Sequence, residues 1–233
     1  QGSSSSNTDG SITSTVSVNA SAGFSVVTAT SPASGNPFTL GHGLGVAPAF
    51  IIAKSRSGSG NWSNYHTSTG AGGYLLFTTA AYTANTDTWN NTAPTSSVIS
   101  TTTNWWGFSS NLVFYCWTPI AGFSAFGKYT GNGSADGPFV YCGFKPKYIM
   151  LKNTNAGAYS AGWEIIDTAR SPYNVTSNSL MADSSGAEFT YVTALDVLSN
   201  GFKIRTPWDT INNPSNIIYM AFAENPFKNA LAR

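Results

Sequence analysis

Short apolar runs alternate with clusters of Gly, Pro, Asn, Ser and Thr along most of this chain. Runs of strand length bounded by turn-forming residues predict an all-β protein built from many short strands. Strands are expected near residues 22–30, 38–42, 49–55, 62–67, 73–79, 96–101 and 110–118, and again near 121–130, 138–142, 147–153, 161–168, 187–193, 195–198, 201–206 and 215–223. Four runs, Phe50–Ala53, Leu112–Trp117, Tyr148–Leu151 and Ile217–Phe222, are continuously apolar instead of alternating. Such strands are expected to be covered on both faces. One face would meet a sandwich core, and the other a sister copy, a helix or another subunit. Helix is expected only as a turn or two, at Ser171 to Asn178 or over the C-terminal Pro226–Arg233.

The pattern is written twice. Ala22-Gly23-Phe24-Ser25, Pro37-Phe38, Val46-Ala47-Pro48 and Phe50-Ile51-Ile52-Ala53-Lys54 are followed in the same order by Ala121-Gly122-Phe123-Ser124, Pro138-Phe139, Lys145-Pro146 and Tyr148-Ile149-Met150-Leu151-Lys152. Ser110-Asn111-Leu112-Val113-Phe114-Tyr115-Cys116-Trp117 likewise returns as Ser215-Asn216-Ile217-Ile218-Tyr219-Met220-Ala221-Phe222. A repeat of domain size fixes the expected architecture: an internally duplicated antiparallel β-sandwich, jelly-roll-like, with copies at residues 21–119 and 120–233. Pro119 leaves almost no linker, so the copies are expected to pack together with approximate twofold symmetry. Residues 1–20 hold almost no large apolar side chain and are expected to form an arm or linker. The copies differ most over Asn61 to Trp106 and Ala158 to Trp208, where recognition should sit.

Composition narrows the function. Only 9% of the 233 residues are charged and the net charge is +1, which leaves no electrostatic footprint for nucleic acid or an anionic membrane. No apolar run approaches the roughly 20 residues of a membrane-spanning helix. Cys116 and Cys142 are too few for a disulfide framework and are expected to be buried thiols, with one bond between them as the alternative.

Catalytic material is thin. His42 lies in Gly41-His42-Gly43-Leu44-Gly45, a glycine turn outside any phosphate-cradle context, and a structural role is expected. Setting Trp62 on Trp163 aligns His66 with Asp167; each is expected to tie a neighbouring loop, Asp167 by pairing with Arg170. Glycoside hydrolysis needs two facing carboxyl groups. Glu164 and Asp167 are the nearest pair, but their odd spacing puts them on opposite faces of a strand. Asp136 in a glycine loop is expected to be a turn residue and not a calcium ligand. The sequence therefore nominates no catalytic residue, no metal and no cofactor. What remains is an aromatic set in Gly/Ser/Asn/Thr-rich surroundings: Trp62, Tyr65, Tyr74, Tyr82, Trp89, Trp105, Trp106 and Trp208. Flat apolar faces with polar edges suit sugar rings or a protein partner, and these eight are the candidate ligand-binding surface.

The strings Asp9-Gly10-Ser11-Ile12-Thr13-Ser14-Thr15-Val16, Gly41-His42-Gly43-Leu44-Gly45-Val46-Ala47-Pro48, Tyr129-Thr130-Gly131-Asn132-Gly133-Ser134-Ala135-Asp136-Gly137, Ile166-Asp167-Thr168-Ala169-Arg170-Ser171-Pro172-Tyr173-Asn174 and Ala221-Phe222-Ala223-Glu224-Asn225-Pro226-Phe227 resemble a domain of marine tailed-bacteriophage virion structural proteins of tail-fibre-like type. That resemblance implies a virion-surface protein in contact with other virion proteins, binding host-surface glycan or protein, and assembled as a homo-oligomer, a trimer by preference. It brings no catalytic residues with it. A capsid decoration or self-assembling extracellular filament subunit is the rival within binding proteins, and a glycan depolymerase the rival among enzymes.

Overall fold

The computed structural model describes residues 2–155 and 162–224. The chain divides into two compact units, Gln1–Leu76 with Tyr82–Pro119 and Phe77–Ala81 with Ile120–Arg233. Both are all-β. No helix among the described residues is long and apolar enough to cross a membrane.

The first unit contains β1 (Ser5–Asn7), β2 (Ser14–Asn19), a 3-10 turn at Ala20–Ala22, β3 (Phe24–Thr30), β4 (Phe38–Gly41), β5 (Phe50–Ser55), β6 (Ser63–His66), β7 (Gly73–Leu76), β8 (Thr83–Ala84), β9 (Val98–Thr101), α1 (Thr103–Trp106) and β10 (Asn111–Trp117). One sheet runs β1-β2-β3-β10-β5-β6-β7-β8, and β4 pairs with β9 in a second. The core lies between them: Val27, Ile51, Ala53, Tyr65, Phe114 and Cys116 from the large sheet close on Phe38, Leu40 and Ile99 from the small one.

The second unit contains β11 (Ser124–Thr130), β12 (Phe139–Tyr141), β13 (Pro146–Asn153), β14 (Trp163–Asp167), β15 (Thr176–Met181), β16 (Phe189–Leu198), β17 (Gly201–Ile204), α2 (Asp209–Asn212) and β18 (Asn216–Ala223). They form one sheet in the order β11-β18-β13-β14-β15-β16-β17-β12. Counted from β3 and from β11, each unit places its first, last, third, fourth, fifth and sixth strands side by side in that order. The register agrees as well. Trp117 faces Phe50 and Phe50 faces His66, as Phe222 faces Tyr148 and Tyr148 faces Asp167.

The continuously apolar strands are buried on one face and wholly or partly covered on the other, with Tyr115 and Trp117 of β10 only half-buried. Phe50 and Ile51 point to opposite sides of β5 and both are 0% exposed. Met150 and Ile149 are buried on the two sides of β13 in the same way.

Four expectations change. The described part of the expected arm, residues 2–20, is not loose, because β1 and β2 join the large sheet through main-chain bonds that need little apolar burial. Ser14 donates its hydroxyl to the Gly41 carbonyl, and the Ile12 N–H donates to the Thr39 carbonyl. A Cβ at Gly10 would stand 2.4 Å from that same carbonyl, so only glycine lets this segment approach. No helical turn forms at Ser171 to Asn178; β15 begins there instead. Its inward positions are polar, with Thr176 donating to the Leu195 carbonyl and Ser179 to Glu164, which disguises a buried strand as turn sequence. The third change is β16, which is one strand where two were expected, and the fourth is the pair of short helices, α1 and α2, that end in the closing strands. The expected turn at Pro226–Arg233 lies outside the described residues.

Trp89 is the largest fully buried side chain of the first unit, set edge-on to Tyr65 at 5.9 Å. Its indole N–H has no hydrogen-bond partner among the described residues. Trp89→Ala is expected to cost about 3–5 kcal/mol in urea unfolding. Trp89→Phe should cost clearly less, since it discards an unpaired donor along with part of the ring.

Candidate functional site

The antiparallel register Ser63↔Leu76 sends Ser63, Tyr65, Tyr74 and Leu76 to one face of the β6–β7 pair. Tyr65 reaches the core. Ser63, Tyr74 and Leu76 lie further along, at the edge of the core face, where α1 closes over them. This helix is one turn long and is fixed at both ends. The Thr102 hydroxyl accepts the Trp105 N–H at its start, and Gly107, at φ 81°, returns its own N–H to the Thr103 carbonyl. Thr103 is bonded in turn to Asn36 and Gly35.

Consecutive tryptophans on so short a turn point in different directions. Trp106 goes inward, edge-on to Phe114 at 5.8 Å, with its Nε1 donating to the Thr101 hydroxyl. Trp105 stays half-buried and leans over Tyr74, with ring centroids 4.5 Å apart and planes inclined by 43°. Its Nε1 donates to Ser63 Oγ at 3.1 Å. Opposite stands the loop after β5. Lys54 holds that loop by donating from Nζ to the Gly60 carbonyl at 2.5 Å while lying 5.3 Å over the Trp62 ring.

Between loop and helix opens a cleft of about 350 Å³, lined by Ser55, Gly60, Asn61, Ser63, Tyr74, Leu76, Trp105 and Trp106. The size falls within the range of about 300–1,000 Å³ common to small-molecule sites. Its lining contains no carboxylate, imidazole, thiol or cation.

Of the eight aromatics nominated from sequence, the cleft brings together Tyr74, Trp105 and the edge of Trp106. Trp62 faces the other side of its strand, against Lys54 and Tyr115, and supports the cleft loop from behind. Tyr82 also lies on the side away from Tyr74, since a Cβ added at Gly73 would stand 2.7 Å from its ring. Trp208 belongs to the second unit and is 51% exposed.

Tyr65, Trp89 and Trp106 correct the expected surface, because all three are buried core residues. The loop before Trp89 is tied by one side chain: Asn85 Oδ1 accepts from the N–H groups of Asp87 and Thr88 and from the Thr88 hydroxyl. A loop so closed can turn its one large ring inward. Ser55, Asn61, Ser63 and Leu76 were not nominated; Ser63 and Leu76 are brought together by the β6–β7 register, while Ser55 and Asn61 flank the loop after β5 and carry no signal in the local sequence.

The remaining polar candidates are structural. His66 Nδ1 accepts the Ser68 N–H, and Asp167 Oδ1, in the matching register, accepts those of Ala169 and Arg170. Asp167 also forms the expected ion pair with Arg170. Glu164 points to the opposite face, where it is buried and accepts from Ser179, so the two carboxylates do not converge. Asp136 pairs with Lys203 at 2.7 Å. Cys116 and Cys142 are free thiols. Lys152 is the strongest perturbed cation, with burial pushing its pKa down to about 8. It donates to the carbonyl of Thr78, whose neighbour Phe77 packs edge-on to Trp163 at 4.9 Å. Lys152 thereby holds the Phe77–Ala81 segment in the second unit.

His42 is fully buried in a turn whose Gly43 and Gly45 have positive φ. Its Nδ1 accepts the Leu44 N–H at 3.2 Å, so the ring proton sits on Nε2 and is donated to the Thr95 carbonyl. Burial lowers its pKa below 6.5, against the opposing effects of that carbonyl and Asp9. The folded state therefore binds the second ring proton, which would add to Nδ1, less readily than the unfolded chain. Its contribution to stability is complete above 6.5 and is lost as pH falls through the folded value. Urea unfolding followed downward from pH 7.5 should show wild type losing more stability than His42→Gln, so that the gap between them narrows.

Searches among curated proteins and among solved structures give no match. A family model described as a domain of unknown function, DUF7483, matches residues 1–226. With nearly its whole length matched, the chain belongs to the DUF7483 family.

Proposed function

We propose that this protein binds carbohydrate on a host surface without catalysis, through the first unit's cleft, as part of the virion surface of a tailed phage. The observation that carries the reading is the Tyr74–Trp105 pair: two inclined aromatic rings in contact, with the buried Ser63 hydroxyl bonded to the edge of the Trp105 indole. Sugar rings combine apolar C–H faces with polar rims, and this combination of surfaces matches them. A lining without carboxylates supports binding over hydrolysis, which would need two of them facing each other. The phage setting, assembly as a homo-oligomer (a trimer by preference) and contacts with other virion proteins rest on the sequence resemblance.

A second reading is favoured by one feature of the other unit. On β12, the last strand of its sheet, Phe139 and Tyr141 stand on the same face and are 47% and 67% exposed. Exposed aromatics on a terminal strand suit packing against further copies of the chain, as a capsid decoration or filament subunit would require.

A glycan array probed with wild type should give a defined set of bound saccharides. Trp105→Ala should weaken that binding by about 30-fold or more, the factor of a hot-spot residue. Trp208→Ala should leave it unchanged. Unaltered binding by a folded Trp105→Ala protein would overturn the assignment to this cleft.

A further inference from the structure

The polar groups of the cleft are mostly uncommitted donors. Ser63 is 1% exposed, and its Oγ already accepts the Trp105 indole N–H, so its hydroxyl proton is left to point at a ligand. Ser55 Oγ likewise accepts the Ser57 N–H and keeps its own proton to give. Asn61 is exposed and contributes a carboxamide with two further N–H groups. The carbonyl of Gly60, another lining residue, is taken by Lys54. Beside these donors and the Tyr74 phenol, Leu76 and the buried Trp106 form an apolar patch.

From this arrangement we infer that the cleft is built for an acetamido sugar, a pyranose carrying an N-acetyl group, and this rests on the carbohydrate reading above. The pyranose ring lies against Tyr74 and Trp105. The acetamido carbonyl, a neutral acceptor with two lone pairs, takes hydrogen bonds from Ser63 and Asn61. Its methyl group packs on Leu76 and Trp106. A plain hydroxyl in the same place leaves the apolar patch uncovered. An ammonium or carboxylate group finds no countercharge in the lining and loses its hydration on entry. Selectivity therefore comes from one carbonyl and one methyl group, with no charge involved.

Isothermal titration of the intact protein with methyl glucoside, methyl glucosaminide and methyl N-acetylglucosaminide, and the corresponding galacto series, tests this. In at least one series the acetamido glycoside should bind about tenfold tighter than the plain glycoside, the lower end of what a methyl-sized group contributes in an apolar pocket. The free amino sugar should bind most weakly. Asn61→Ala, at an exposed loop position, should reduce the acetamido preference several-fold while leaving plain-glycoside affinity nearly unchanged. Equal affinity for plain and acetamido glycosides in both series would overturn the acetamido assignment and leave the carbohydrate reading standing. If neither glycoside series binds but another saccharide is bound and weakened by Trp105→Ala, the acetamido assignment falls alone. If no saccharide binds at all, both fall.

Discussion

Each unit is organised by its closing strand. β10 lies between β3 and β5, and β18 between β11 and β13, so the last segment of each unit is what joins its first and third strands, counted from β3 and from β11. The insertion is driven by apolar surface on both sides of the strand. Leu112, Phe114 and Cys116 fill the core of the first unit, while Val113 is buried on the other face. A strand apolar on both faces needs cover above and below the sheet.

The cleft depends on that same strand. α1 immediately precedes β10, and Trp106 is seated on Phe114 of β10, so the register of the closing strand sets where Trp105 stands. Tyr74 and Ser63 are placed by a separate register, that of β6 with β7. The Trp105–Ser63 hydrogen bond ties α1 to β6 and so joins the two placements. In the second unit the position matching Ser63 is occupied by Glu164, which is buried and bonded to Ser179. The two units thus share strand order and differ in what they place at this point.

The fold was largely legible because it rests on patterns that sequence displays directly. Continuous apolar runs identified β5, β10, β13 and β18, and the repeat predicted that His66 and Asp167 would stand in the same place with the same loop-tying task. Hidden elements were those stabilised by polar bonds instead of apolar burial. β15 carries Thr176 and Ser179 inward, and β2 is held through Ser14 and main-chain pairing, so both look like turn or linker sequence. The cleft was half legible. Trp89 and Trp105 have the same kind of polar neighbours, yet one fills a core and the other borders a cleft, a difference set by hydrogen bonds among Asn85, Thr88, Thr102 and Ser63 that no local pattern reveals.

The central claim, that sugar is held by the first unit's cleft against Trp105, is tested most directly through the indole N–H resonances of the seven tryptophans. Titration with a bound saccharide, followed by 1H–15N correlation spectra with each indole assigned by substitution, should move Trp105 Nε1 most, because its partner Ser63 borders the ligand. Trp208 should stay still. A saccharide that binds while Trp105 stays fixed and Trp208 shifts would contradict the account.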